Sequence, residues 1–553
     1  MKRVIFTLAT LAFLGLSMNS ALAQGGTTGP LTWQLTGNTL TISGNGAMPD
    51  YDYAPWYEYR EFIETVVLET NVTRIGNSAF RDCISLNSIN IPNSVTTIGD
   101  DAFHTCMKLT SITIPDNVTN LGKGVFSWCK GLISIAISNS VTSIEQHAFS
   151  FCTNLTSITI PNSVVTIGKW AFNSCERLTS ITIPNGVSSI GIQSFVNCKD
   201  MTSIIVSSTV TSIGDDAFSR CTSLTTIDVD SENKSYTSEN GVLFNKSKTS
   251  LICYPAGKMD MMYVIPHSVI SIEYAAFSYC TNLTLITIPN SVTTIGGNAF
   301  WCCTGLTSMI LPSSITIIEG GFTDCLNLIS ITNLNLVPIA IKPYVFNNFN
   351  ISACTLTVPT SAVSAYKAAE VWKEFDIVGG GILVNPVSGN SEYGYTIGNG
   401  LYEGNGKSTA TVTAVPLGYN KFVNWTKNGV VVSTNNEYSF TVIEDVELVA
   451  NFEKGDVAIV ETDNYPSLRV YPNPVNGELH IGYAICDNAI CDIVIYDLMG
   501  RRVGAHLYGR PVETGRAPSL QSTSPETTIN VSHLPAGVYF LKIGEKTAKF
   551  VKE

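Results

Sequence analysis

A phenylalanine recurs every 23 residues along the first half of this chain, at Phe80, Phe103, Phe126, Phe149, Phe172, Phe195 and Phe218. After an interruption it returns at Phe277, Phe300, Phe322 and Phe346. A cysteine stands three residues after all but the last of these, from Cys83 through Cys106, Cys129, Cys152, Cys175, Cys198 and Cys221 to Cys280, Cys303 and Cys325. Three residues further comes a large apolar residue (Leu86, Leu109, Leu132, Leu155, Leu178, Met201, Leu224), then an Ile-x-Ile pair such as Ile158 and Ile160, then Pro161, Val164 and Ile167. Self-similarity of this kind restricts a chain to repeat architectures, because one such unit cannot cover its own apolar face. The Ile-x-Ile pair has the period of a short strand, and the proline after it ends the strand because it cannot donate to a ladder. Phe-x-x-Cys-x-x-Leu is spaced for a short helical or 3-10 turn. Stacking one strand and one turn per coil buries both, which predicts a mainly β solenoid with parallel strands about 4.8 Å apart.

The cysteine column admits four readings. A metal site needs ligands converging on one point, whereas these thiols fall one per coil along a line, without histidines. A nucleophile needs a neighbouring base, and ten equivalent positions do not make one. Disulfides between coils satisfy the Cα spacing, but parallel side chains hold their Cβ atoms wider than a bridge prefers. A packed column of free thiols remains, with Cys106, Cys129, Cys152 and Cys175 acting as small apolar fillers beside Phe103, Phe126, Phe149 and Phe172. Cys302, adjacent to Cys303, and the later Cys486 and Cys491 fall outside that pattern; the last pair is a candidate bridge.

Two columns are free of the repeat's core demands. Between the paired isoleucines stand Asn90, Thr113, Ala136, Thr159, Thr182, Ile205, Asp228 and Thr287, and the residue just before the first isoleucine is mostly serine. This face is flat, rich in hydroxyls and nearly uncharged, as β propensity and solubility require or as a broad recognition surface would be. Two residues after the phenylalanine stand Trp128, Phe151 and Tyr279, with Trp170 and Trp301 nearby. They are either binding anchors or covers for the shoulder of the core.

On the stretch Ser94 to Pro115, "SVTTIGDDAFHTCMKLTSITIP", and its copies, the chain resembles the BspA-like, or treponemal-type, leucine-rich repeats. The resemblance implies an N-terminal cap over residues 24–66, repeats over 67–380, a hairpin insertion near 231–262 and a closing cap near 352–378. Residues 381–455, with "KNG" as a hairpin turn, resemble the small Ig-like β modules of the internalin B-type repeat, which implies a stalk or spacer with Trp425 in its core. After a polar linker at 456–466, residues 467–553 resemble the C-terminal sorting domain of type IX secretion cargo, an Ig-like sandwich. Tyr471, Pro472, Asn473 and Pro474 match its opening motif, and Gly537, Val538 and Tyr539 its closing one. That resemblance implies the type IX machinery as a partner, and attachment to the cell surface or release.

The ends and the charge agree with export. Residues 1–23 carry a basic start, an apolar run and small residues at Ala21 and Ala23, the pattern of a signal peptide cleaved after Ala23. The net charge of −12 disfavours nucleic acid and anionic membrane as partners. No later run reaches the length of a transmembrane helix. The six histidines are scattered, and no zinc-hydrolase, nucleophile-elbow or P-loop motif occurs. The expectation is a non-catalytic surface or secreted protein without cofactors, an adhesin for extracellular or matrix proteins or other cells. The alternatives are a structural surface-layer or biofilm component and a glycan-binding accessory.

Overall fold

A computed structural model describes residues 24–454, apart from 404, 405 and 419, and the backbone of six strands between 469 and 552. The signal segment with Ala23, the 456–466 linker, Pro472, Asn473, Pro474, Cys486 and Cys491 lie outside the described residues. The chain forms two compact units, residues 1–454 and 455–553.

Strands such as Ser180–Ile183, Ser203–Val206 and Thr226–Val229 pair in parallel and in register, so that Ile181, Ile204 and Ile227 stack in the core. Thr182, Ile205 and Asp228 face solvent, as period-two alternation demands. A second parallel ladder runs along another side, through Ser143–Ile144, Thr166–Ile167, Ser189–Ile190 and Ser212–Ile213. Two residues are too few to show a period, so this ladder was not legible in the sequence. It brings backbones so close that a Cβ on Gly122 would run into the Asp100 amide and Gly99.

The Phe-x-x-Cys-x-x-Leu segment is not the continuous helical or 3-10 turn that its spacing predicts. Its amides alternate between two partners. Cys83 donates to Phe80 in its own coil at 3.2 Å, whereas Ser78, Phe80 and Asp82 donate to Asp100, Ala102 and His104 of the next coil at 2.8 Å. The switch comes from left-handed residues on either side of the phenylalanine. Asp82, Thr105, Trp128, Phe151, Ser174, Asn197 and Arg220 have φ of 59–65°, and most residues two before the phenylalanine are also left-handed. Such a residue turns the peptide planes so that alternate amides leave the coil. The resulting inter-coil bonds offset the conformational cost of left-handed non-glycine residues.

One coil departs from the strand pattern. Residues 157–160, which include Ile158 and Ile160, form no strand. The first ladder is interrupted there, between Ser134–Ala136 and Ser180–Ile183, and the second between Asn120–Leu121 and Ser143–Ile144. The turn ladder continues across both gaps, with Phe126 donating to Ala148 at 2.9 Å and Trp128 to Ser150 at 2.7 Å. At these coils the turn side keeps its regular ladder, while the strand side of the 157–160 coil keeps single bonds, Thr156 to Ile133 at 3.1 Å and Thr179 to Thr156 at 3.4 Å.

Inside, the phenylalanine rings form a column from Trp56 through Phe80 to Phe218. An antiparallel hairpin, Tyr236–Glu239 with Val242–Asn245, then interrupts the repeat. Tyr254 occupies the next phenylalanine slot, and its ring stacks on Phe277 at 5.4 Å to begin a second column that ends on Phe346. The core is accordingly two clusters. The first end is closed by the meander Gln24–Thr28, Leu31–Thr36 and Thr39–Gly44, which covers Trp56. The last coil is covered by Tyr366 on the helix Val363–Ala368 and by Trp372.

The module after the repeats has two sheets around a fully buried Trp425. It is not a free spacer. Asn290 donates to the Pro386 carbonyl at 3.1 Å, Ser313 to the Asn385 side chain at 2.6 Å, and His267 stacks on Tyr395 at 3.8 Å. The C-terminal unit contains two antiparallel three-stranded sheets, with Tyr471 ending the strand Arg469–Tyr471 and Gly537, Val538 and Tyr539 opening the strand Gly537–Ile543. Among the described residues no helix is long and apolar enough to cross a membrane.

Candidate recognition surface

The residues that repeat most faithfully point inward. Phe103, Phe126, Phe149 and Phe172 are wholly buried, with rings 5.3–5.6 Å apart and within 15° of parallel. Cys106, Cys129, Cys152 and Cys175 are buried beside them as free thiols. Each donates from Sγ to the phenylalanine carbonyl one coil back: Cys106 to Phe80 at 3.3 Å, Cys129 to Phe103 and Cys152 to Phe126 at 3.1 Å, and Cys175 to Phe149 at 3.2 Å. A thiol is thus a compact apolar filler that also supplies a weak donor. Burial pushes Cys106, Cys152 and Cys175 well above the ordinary thiol range, which keeps them protonated and unreactive. Among the described residues no group of three or more His, Cys, Asp or Glu side chains is placed to hold a metal.

The candidate binding residues lie on separate faces. Thr113, Thr159 and Thr182 are exposed on the strand face. There Asn139, Ser157, Thr159, Asn162, Ser180 and Thr182 line a shallow groove of about 440 Å³, over the coil whose strand is missing. The aromatic residues lie on the turn face, all half-buried. Trp128 and Phe151 stack at 4.1 Å and 14°, with the Lys130 ammonium 5.0 Å from the Trp128 ring. Trp170 does not join them. It belongs to the column two residues before the phenylalanine, stacks on His147 at 4.8 Å and donates to Gln193, which donates to Asp216 at 3.1 Å.

Tyr279 and Trp301 pair edge-on at 5.2 Å, far along the stack, and are already in use. The Arg220 guanidinium lies over both rings, 4.3 Å from Trp301 and 5.2 Å from Tyr279, and Trp301 donates to Asp324 at 2.9 Å.

Between the two left-handed columns lies a groove of about 430 Å³, its walls including Trp128, Phe151, His147, Asp101 and Lys123, with Ser127 and Ser150 among its lining. His147 is held toward its neutral form by burial. Reading by single residues missed Asp101, Gly124 and His147. The available signal was the slot two before each phenylalanine, which carries Ser78, Asp101, His147, Trp170, Gln193 and Asp216 but glycine at 124.

The BspA type leucine rich repeat region model matches residues 55–176, 124–250 and 261–367, more than half of the chain. The divergent InlB B-repeat domain matches residues 386–456, and the secretion system C-terminal sorting domain matches 469–553. No curated protein matches. Among solved structures, the chain is similar to a leucine-rich repeat protein from Eubacterium ventriosum (26% identity, TM-score 0.40, 66% of this chain and 87% of that one). It is also similar to a leucine rich cell surface protein from Faecalibacterium prausnitzii (27%, 0.43, 66% and 96%) and a leucine-rich repeat protein from Bacteroides ovatus (21%, 0.34, 63% and 98%). The sorting domain marks a protein exported to the cell surface or secreted and implies contact with the secretion machinery. With its repeats matched over most of the solenoid, the chain belongs to the BspA type leucine-rich repeat family.

Proposed function

We propose that this protein is a non-catalytic adhesin that binds extracellular proteins, or proteins on other cells, through the turn face of its repeats. The observation that carries this reading is the Trp128 and Phe151 pair, two stacked rings held outward at positive φ rather than folded into the core. Aromatic pairs of this kind concentrate binding energy at interfaces, and the left-handed backbone that each coil has at this slot turns both rings away from the core. The repeat scaffold holds the pair on rigid backbone, which lowers the entropy lost on binding. A second reading, glycan binding, is favoured by the hydroxyl-lined groove on the strand face.

The test is saturable binding of the purified protein to immobilised matrix proteins and host cells. Trp128→Asn and Phe151→Asn, which suit left-handed backbone, are expected to remove it. Binding unchanged in both variants refutes the turn-face reading, and binding only to a glycan array favours the strand face.

A further inference from the structure

The column two residues before the phenylalanine projects one side chain per coil across the turn face, and it is missing one tooth. In the first half of the solenoid Ser78, Asp101, His147, Trp170, Gln193 and Asp216 occupy it, all at positive φ. Gly124, with φ of 61°, stands between Asp101 and His147 and projects nothing. Adjacent coils lie about 4.8 Å apart, so the backbones flanking the notch are about 10 Å apart, and the Asp101 carboxylate takes up part of that span.

The walls of the notch state what that group is. On one side the Asp101 carboxylate holds Arg81 through Oδ2 at 3.1 Å, while its Oδ1 leans into the space a Gly124 side chain would take. On the other side is the His147 ring, whose far face is covered by Trp170. Trp128 and Phe151 border the same groove. A carboxylate opposite a flat ring, with aromatic side chains alongside, matches a guanidinium, which is planar, always charged, pairs with carboxylates and stacks on rings. The chain uses this solution elsewhere on its own turn face, where Arg220 lies over Trp301 and Tyr279. Among the described residues near Gly124, the Lys130 ammonium lies over the Trp128 ring, and Lys123 lines the same groove without lying over a ring. The chain's net charge of −12 also favours a basic partner.

We propose that the Gly124 notch receives an arginine side chain of a protein partner, seated between the Asp101 carboxylate and the His147 ring beside Trp128. The proposal rests on the turn-face reading above and gives it a defined subsite.

The experiment titrates the full chain with the tripeptide Gly-Arg-Gly and its citrulline and lysine counterparts, and with lactose, following tryptophan fluorescence and heat. A single side chain is a small ligand, so the expected affinity is about 1 mM. Citrulline keeps the shape without the charge, and lysine keeps the charge without the plane; both should bind at least tenfold more weakly. Gly124→Asn fills the notch with a residue that tolerates left-handed backbone, and should abolish the response with an unchanged circular dichroism spectrum. Should that variant fail to fold, Asp101→Asn is expected to weaken the arginine peptide at least tenfold.

No saturable response to the arginine peptide, equal binding of citrulline, or wild-type affinity in both variants overturns the proposal. So does a lactose response lost in Gly124→Asn, which would make the notch a saccharide site. Matrix or cell binding that survives Gly124→Asn sinks the notch alone. Arginine-peptide binding without any matrix or cell binding leaves the notch standing and sinks the adhesin.

Discussion

The ring column makes Phe149→Ala and Phe218→Ala inequivalent, although the repeat gives both positions the same neighbours in sequence. Phe149 is wholly buried between Phe126 at 5.6 Å and Phe172 at 5.3 Å. Phe218 stacks only on Phe195, at 6.0 Å, because the hairpin insertion separates it from Tyr254. It also borders an existing void of about 230 Å³, so removing its ring creates less new cavity. A buried Phe→Ala substitution costs about 3–5 kcal/mol, and each aromatic pair adds about 0.5–1.5 kcal/mol. Phe149→Ala should therefore fall at the top of that range, at about 5 kcal/mol, and Phe218→Ala at about 3–4 kcal/mol, a difference of about 1–2 kcal/mol. The assay is urea unfolding followed by tryptophan fluorescence. Because each coil contacts only its neighbours, Phe149→Ala should also split the transition by uncoupling the coils on either side. Equal costs, or a larger cost at Phe218, would show that the rings do not couple the coils.

The thiols give two further expectations. All thirteen described cysteines should titrate as free thiols in the unfolded, unreduced protein, and the eleven buried ones should resist alkylation in the native state; a count near zero would mean cross-linked coils. Burial raises the Cys83 and Cys325 thiols from the ordinary thiol range to about 12. Their folded form thus holds the proton more tightly, so their contribution to stability is complete below about pH 9 and is lost as pH rises toward 12. Each should cost roughly 1 kcal/mol by pH 10, seen as a falling urea midpoint that begins before tyrosine ionisation; a flat midpoint from pH 8 to 10 would contradict it. At the far end, Tyr395→Ala removes the stack on His267, worth about 1 kcal/mol. Protease cleavage between the last coils and the module should then quicken about fivefold, and an unchanged rate would show that the stack does not hold the module.

Much of the solenoid was legible because its signals are local and repeated. Ile-x-Ile alternation sets which residues face the core wherever a strand forms, and the spacing of Phe, Cys and Leu sets which slots are apolar. The turn has the i to i−3 bonds that its spacing suits, Cys83 to Phe80 and Leu86 to Cys83, but a spacing of three describes side-chain positions and says nothing of the amides that leave the coil. Left-handed Trp128 or Arg220 carries no sequence mark, since glycine is the only residue whose identity announces that conformation. The unpaired strand at 157–160 has the same Ile-x-Ile as its neighbours, and no local feature of it foretells the gap. The contacts that hold the module to the repeats had no local mark, because Asn290, His267 and Ser313 lie about 70 to 130 residues away in sequence from their partners.

The candidate site divides in the same way. The sequence by itself determined that the chain is a stack of coils of about 23 residues with a phenylalanine and a thiol in most cores, because burial at a fixed period leaves few alternatives. It also determined which slots are free to vary. Only the tertiary structure decided which free residues meet. It set Trp128 on Phe151 and Trp170 on His147, spent Tyr279 and Trp301 on Arg220, and opened a groove where Gly124 stands between Asp101 and His147. The physical reason is that residues one coil apart are 23 positions apart in sequence but about 4.8 Å apart in space, so their chemistry exists only once the coils are stacked.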